Sequence, residues 1–313
     1  MGATWRPSAS LETLKARAAL LARTRAFFME RGVLEVDTPI LSAAATVDFH
    51  IESERTSDCW LRTSPEFAMK RLLAAGSGPI YELGHVFRAG DAGRVHNPEF
   101  LMLEWYRPGY DHHRLMDEVS ELIQALGAPA VQRRLTYREA WLEHAGVDPL
   151  AAPDETLASL VRDHAPEGPL DRDSCLDLGM AFLVGPKLGL DAPVFVHDFP
   201  ASQAALARVR PGRSANDPAV AERFELFWKG LELANGFHEL SDAGEQARRF
   251  AADRERRRQA GHVVPPHDEH LIEALRAGLP GCAGVALGMD RLLMLLLGKA
   301  TLAEVLPFSS ERA

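Results

Sequence analysis

Residues 87–106 read Phe-Arg-Ala-Gly-Asp-Ala-Gly-Arg-Val-His-Asn-Pro-Glu-Phe-Leu-Met-Leu-Glu-Trp-Tyr, and they constrain the fold more than any other stretch. Alternation over 80–88 puts Tyr81, Leu83, His85 and Phe87 on one face. Alternation over 99–107 puts Phe100, Met102, Glu104 and Tyr106 on one face. The pattern predicts a β-hairpin. Its connection, 89–98, carries Asp91, Arg94, His96 and Asn97 and almost nothing apolar. A polar loop of that length in a compact domain is usually there for function. An arginine ending one strand, an aromatic opening the next and cations between them make a cradle suited to a triphosphate and a flat base.

The 313 residues suffice for one large domain or two ordinary ones, and 46% apolar content supplies a real core. A net charge of −9 argues against a nucleic-acid surface as the main contact. Cys59, Cys175 and Cys282 are widely spaced and form no CxxC, so neither a zinc knuckle nor a disulfide framework is indicated. That fits a reducing, cytoplasmic setting. The longest apolar run near the C-terminus, 292–297, is far short of a membrane span, and the N-terminus has no apolar signal core.

Residues 11–31 predict an amphipathic helix capped by Ser10, with Leu14, Ala18, Leu21 and Phe28 inward; 33–41 then reads as a strand closing on Thr38-Pro39. Residues 115–126 predict a second helix. The stretch 132–216, rich in Pro, Ala and Asp, reads as an inserted helical subdomain with pieces at 137–144 and 155–164. Strand character returns over 221–240, and 245–260 reads as a strongly charged helix. Most such helices are solvated faces, although a docking surface for an acidic partner is the other reading. His262, His267 and His270 match no zinc spacing and read as loop; His112-His113 read as exposed.

Three segments carry candidate chemistry. The first joins Thr63-Ser-Pro-Glu66 to the hairpin: Glu66 suits an ammonium group and Arg88 suits a carboxylate or an α-phosphate. The second is 223–240. If its turn centres between Trp228 and Lys229, Glu225 faces Glu232, an arrangement that a divalent cation would turn from repulsive to favourable. A one-residue shift places Ala234 there instead. The third is 284–294, where Gly288 precedes a helix and Arg291 falls in its first turn. A cation at that end is useful only beside a bound anion; otherwise Arg291 is an ordinary exposed residue. No P-loop and no GxGxxG is present.

In this order the segments resemble the three signature motifs of class II aminoacyl-tRNA synthetases. Leu34-Glu-Val-Asp-Thr-Pro-Ile-Leu41 resembles motif 1, Phe87-Arg88 with His96-Asn-Pro-Glu-Phe100 resembles motif 2, and Gly288-Met-Asp-Arg291 resembles motif 3. Thr63-Ser-Pro-Glu66, Met102-Leu-Glu-Trp-Tyr106 and Ala234-Asn-Gly-Phe-His-Glu-Leu240 are similar to the lysine branch. The motif-1 helix begins by Leu11, which leaves no room for an N-terminal anticodon-binding domain. A stand-alone domain with Arg107-Pro-Gly-Tyr-Asp111 and Gly284-Val-Ala286 resembles the elongation factor P–(R)-β-lysine ligase family.

The resemblance implies an α+β fold with a mostly antiparallel sheet flanked by helices, in a single catalytic domain. It implies ATP and Mg²⁺, a homodimer, β-lysine as amino acid and elongation factor P, not tRNA, as acceptor. A minimal lysyl-tRNA-synthetase-like enzyme, charging tRNA or making dinucleotide polyphosphates, is the alternative. By the same resemblance Ser64 and Glu66 bind the substrate's amino end, Tyr106 and Glu239 its other polar end, and Asn235 joins that shell. Arg88 holds the substrate carboxylate and the α-phosphate. His96 and Asn97 contact phosphate or ribose, Phe100 stacks on adenine, and Arg291 takes the γ-phosphate. Ala89, Gly90, Leu233 and Gly288 complete the ATP shell, Glu225 and Glu232 hold Mg²⁺, and Ala286, where synthetases usually have glycine, shapes the pocket floor. One departure stands out: Gly90 occupies the position of a glutamate that contacts the adenine in relatives, so purine recognition falls to the backbone or to Asp91.

Overall fold

The computed structural model describes residues 5–165, 168, 170–212 and 218–313. In chain order its first elements are α1 (Leu11–Glu30), β1 (Leu34–Glu35), β2 (Leu41–Ser42), β3 (Trp60–Leu61), α2 (Glu66–Ala74), β4 (Ile80–Phe87), β5 (Glu99–Pro108) and α3 (His112–Ala125). There follow β6 (Arg133–Thr136), α4 (Tyr137–His144), α5 (Asp154–Val161), α6 (Arg172–Gly179), β7 (Val194–Pro200), β8 (Val209–Arg210), β9 (Val220–Trp228) and β10 (Leu231–His238). Last come α7 (Ala243–Gln259), α8 (Glu269–Gly278), β11 (Cys282–Gly288) and α9 (Met289–Leu296). Most strand pairs are antiparallel, as expected for the α+β class. Among the described residues no helix is long and apolar enough to cross a membrane.

The contacts divide the chain into two compact units. One comprises Met1–Tyr110, Ala125–Ala128 and Leu240–Ala313; the other comprises Asp111–Gln124 and Pro129–Glu239.

In the first unit the expected hairpin forms without a slip, from Ile80 opposite Tyr106 to Phe87 opposite Glu99. β11 lies antiparallel on the far side of β5, and β1 adds parallel to β4. Helix α1 starts where expected, the Ser10 hydroxyl accepting from the Thr13 amide at 3.1 Å. Its inward face differs from the sequence reading. Thr13, Leu20, Thr24, Phe27 and Phe28 are buried, whereas Ala18 is exposed and Leu14 and Leu21 are half-buried. Phe28 sets the rotation: it stacks on Tyr81 at 4.5 Å and meets Trp105 edge-on at 5.4 Å, and these large rings outweigh the smaller aliphatics. The strand expected over 33–41 is reduced to two short pieces, β1 and β2, because Pro39 cannot donate to a ladder. Helix α7 is not wholly solvated. Gln246, Phe250 and Arg257 turn inward, and Arg257 donates to the carbonyls of Val263, Asp48 and Ile51 and to Glu52. That buried guanidinium is a structural clamp. His262 and His267 lie outside regular structure, but His270 sits in the first turn of α8.

In the second unit β9 and β10 form a hairpin whose two-residue turn, Lys229-Gly230, has positive φ at both positions (50° and 74°). Turns of this hand match the twist of the strands they join. β7 pairs with the other edge of β9, β6 lies parallel to β7, and β8 joins one end of β9. The stretch 132–216 therefore carries β6, β7 and β8 as well as the expected helices; its last residues, 213–216, lie outside the described set. Its core is built on fully buried Tyr137 and Trp141 of α4, which pack with Leu157, Leu176, Val184, Phe199 and Phe227. Helix α3 begins at His112, three residues before the predicted start, because the Asp111 carboxylate accepts from the Arg114 amide at 2.8 Å. His113 is exposed as expected, but His112 is buried.

Candidate active site

In the first unit the hairpin loop is held in shape by bonds to the C-terminal segment. The Arg88 amide donates to the Pro98 carbonyl at 2.9 Å and closes the loop's neck. Arg94 donates to the Ala300 carbonyl, and the Leu302 amide donates back to the Arg94 carbonyl. Arg291, in the first turn of α9, donates through Nε to the Val95 carbonyl at 3.1 Å. Asn97, expected to touch phosphate or ribose, donates to the Glu99 carbonyl at 2.6 Å and accepts from the Ser310 amide at 3.1 Å. Its amide thus has a fastening role. His96 is exposed, and its backbone pairs with Gly93. The Arg88 guanidinium lies 5.3 Å from the Phe100 ring centre, so the cation and the flat apolar surface are adjacent. Gly90 has φ 81°, a conformation that a side-chain-bearing residue adopts at a cost, and Ala89 is pinned by its amide to the Glu52 carbonyl.

Gly288 precedes α9 without a side-chain cap, leaving the helix's first amides uncapped by that residue. Asp290, which the sequence reading passed over, is 2% exposed and accepts from Arg17 at 2.5 Å and from the Leu101 amide at 2.8 Å. It ties α1, β5 and α9 together. Its sign in the sequence is a carboxylate in the first turn of a helix whose later residues are all apolar, and a buried carboxylate is seldom found unless paired.

In the middle of β5 lies a carboxylate on the strand face shared with Tyr106. Glu104 is 3% exposed and accepts from the Ser64 hydroxyl at 2.7 Å and from the Tyr106 hydroxyl at 2.6 Å. Ser64 also accepts from the Glu66 amide, at the start of α2. Glu66, expected to meet a substrate ammonium, is engaged by the buried ammonium of Lys70 at 2.6 Å. Glu104 is thus the buried carboxylate beside the predicted Ser64 and Tyr106, and Glu66 is half-buried. Its register neighbours are Glu82 on β4 and Ala286 on β11, all on one face of the sheet. Glu82 is neutralised by Arg62 at 2.5 Å and by the Thr38 hydroxyl at 2.7 Å. The alternation 100-102-104-106 marked Glu104 as sharing a face with Tyr106; its bonds to both Ser64 and Tyr106 single it out.

In the second unit Glu225 faces Asn235, not Glu232 or Ala234. The turn lies one residue later than assumed, at Lys229-Gly230, and a bulge between Glu232 and Ala234 absorbs an extra residue. The bulge keeps Glu232, opposite Phe227, and Asn235, opposite Glu225, on the same face. Leu233 is buried at the bulge. Arg223, which sequence reasoning missed, grips that face: it donates to Glu225 at 2.5 Å, to Asn235 at 3.3 Å and to the Gln203 carbonyl at 3.0 Å. Its spacing of two from Glu225 was the available signal. Burial, reinforced by the Glu232 charge and offset by Arg223, pushes the Glu225 carboxyl up to about 8. Two carboxylates on one face, one of them reluctant to ionise alone, fit a hard divalent cation with oxygen ligands. Glu239, on the same face by alternation, is 2% exposed.

The family comparison agrees with these features. Residues 3–312 match the family model described as tRNA synthetases class II (D, K and N). The chemistry of that family is ATP-dependent formation of an aminoacyl-adenylate, with Mg²⁺ in general use, which makes this chain a ligase-type, ATP-binding protein. By a match over nearly its whole length, the chain belongs to the class II tRNA synthetase family of the D, K and N group.

Proposed function

We propose that this protein activates (R)-β-lysine as an acyl-adenylate and transfers it to the ε-amino group of a lysine on elongation factor P. The observation that carries the reading is the pairing of Glu104 with Ala286 in direct register. A buried carboxylate dressed by the hydroxyls of Ser64 and Tyr106 suits a lysine-like ammonium. A methyl group directly across from it narrows the pocket and disfavours the ordinary placement of an α-amino group. The net charge of −9 favours a protein acceptor over tRNA, and Arg107-Pro-Gly-Tyr-Asp111 supports the same branch.

In this reading a substrate carboxylate oxygen attacks the α-phosphorus of ATP and the bond to pyrophosphate breaks. Positioning and charge neutralisation dominate such a step. Arg88 orients the carboxylate and the α-phosphate, Phe100 supports the base, and Arg291 neutralises the far phosphate. Glu225 and Glu232 would hold Mg²⁺, which supplies charge neutralisation when bound. The acceptor amine then attacks the activated carbonyl carbon, AMP leaves, and the amine gives up a proton. Arg88→Ala is expected to abolish ATP–pyrophosphate exchange; exchange at the wild-type rate would overturn Arg88's role. The deciding experiment compares β-lysine with α-lysine and offers elongation factor P and tRNA as competing acceptors. Transfer of β-lysine to the protein supports the proposal. Preference for α-lysine with transfer to tRNA overturns it in favour of a minimal synthetase.

A further inference from the structure

The second unit carries a cluster that the proposed chemistry does not use. A nitrogen of His112, a carboxylate oxygen of Glu222 and a nitrogen of His238 all lie within 4.8 Å of one another. They come from three elements, the first turn of α3, β9 and β10. Alternation places Glu222 and His238 on the sheet face opposite Glu225, Asn235 and Glu239. The cluster is therefore separate from the carboxylates assigned to Mg²⁺.

Its polar atoms are poorly satisfied. His112 is 3% exposed, and neither of its ring nitrogens makes a hydrogen bond. His238 Nδ1 sits 2.7 Å from Glu222 Oε2, yet the alignment gives neither atom a hydrogen bond. Asp198 Oδ1, 3.8 Å from His112 Nε2, is likewise without one. A buried imidazole whose nearest polar contact is the 3.8 Å approach of Asp198 is weakly satisfied, and such groups point to an ion or a bound water. Asp198 also holds φ at 58°, in the left-handed region, at the irregularity where β7 slips past β9. Strain of that kind persists where surroundings over-determine it, often at ligand sites.

We propose that His112, Glu222 and His238 bind one zinc-class transition-metal ion, with Asp198 or water in the remaining position. Two imidazoles and a carboxylate are the ligand set of a borderline cation; Mg²⁺ and Ca²⁺ prefer all-oxygen shells. The ion would clip the start of α3 to β9 and β10. Two arginines oppose it. Arg208 donates to His238 Nε2 at 3.2 Å and stands 3.8 Å from Glu222, and Arg210 stands 3.9 Å from Glu222 and pairs with Asp198 at 2.9 Å. Their charges weaken binding, which gives a test with a gain as well as a loss.

The full chain, stripped with chelator, is titrated with Co²⁺ and back-titrated with Zn²⁺, following visible ligand-field bands and bound metal by mass spectrometry. The expected result, with excess Mg²⁺ present throughout, is one Co²⁺ per chain with nitrogen-ligand bands, displaced by Zn²⁺ and lost in His238→Gln and in Glu222→Gln. Arg208→Ala should bind several-fold tighter. Circular dichroism of each stripped variant separates loss of the site from loss of the fold; should one variant unfold, the other carries the test. No stoichiometric ion in the wild type, or binding undiminished in a folded His238→Gln or Glu222→Gln variant, overturns the proposal.

Discussion

Replacing Glu225 with Gln tests the electrostatics of the carboxylate pair directly. In the unfolded chain this carboxyl ionises near its ordinary value of 4.5, whereas in the native state burial and Glu232 hold it to about 8. Between those values the native state keeps a proton that the unfolded chain has lost. Stability therefore falls as pH rises through that window, because the state binding more protons is favoured at lower pH. At 1.36 kcal/mol per unit the full shift corresponds to about 5 kcal/mol, a ceiling that relaxation around a buried pair reduces to about 2–4 kcal/mol. Glutamine cannot titrate and retains a partner for Arg223, 2.5 Å away in the wild type. Urea unfolding in the presence of EDTA at pH 5 and pH 8.5 should thus show the wild type losing about 2–4 kcal/mol more than the variant. Excess Mg²⁺ at pH 8.5 should return part of that loss to the wild type and none to Glu225→Gln, since a cation binds the ionised pair only. Parallel pH dependences for the two proteins would refute the argument, and an Mg²⁺ effect of equal size in both would refute the assignment of the cation to this face.

Three further perturbations probe other links. Glu104→Gln keeps the hydroxyls of Ser64 and Tyr106 in place but removes the charge, so the amino-acid KM in pyrophosphate exchange should rise by about 30- to 100-fold with ATP KM unchanged, the value of one charged hydrogen bond; an unaltered KM would remove Glu104 from the pocket. Gly84→Ala places a methyl 2.4 Å from Arg62 Nη2 and must dislodge the buried Arg62–Glu82 pair, which should cost about 3–5 kcal/mol in denaturant unfolding; a loss below 1 kcal/mol would mean that the pair relocates freely. Gly90→Ala meets no atom within 4 Å but forces a side chain into left-handed backbone at about 1–2 kcal/mol, so it should raise the ATP KM with little change in melting temperature if the loop's shape serves the nucleotide; an unchanged KM would detach the turn from ATP.

How far the sequence could be read follows the range of the forces involved. The 80–107 hairpin was legible because alternation is a local signal and its strands are contiguous in sequence. The Ser10 cap and the start of α9 were legible for the same reason. The inward face of α1 was not, since Phe28 is oriented by Tyr81 and Trp105, more than fifty residues away. The 223–238 hairpin shows the limit most sharply. Its strands were apparent, but a one-residue displacement of the turn and a bulge at 232–234 together decide which residue faces Glu225. Those two irregularities place Glu232 and Asn235 on one face although they are three apart, a combination forbidden to a regular strand. The candidate site resisted reading at the same points. Glu66 and Glu104 are both acidic residues near Ser64 in space, and pattern alone could not say that Lys70 would engage the first. The pairing of Lys70 with Glu66 is an i,i+4 contact on one helix, visible once α2 is drawn; what the chain does not display in one dimension is that β5 delivers Glu104 to the same hydroxyl. Motif residues therefore divide by physics into two kinds: those such as Asp290 and Asn97, whose bonds hold the loop and helices in place, and those such as Glu104 and Glu225, buried carboxyls that strands β5 and β9 hold among polar partners on one sheet face.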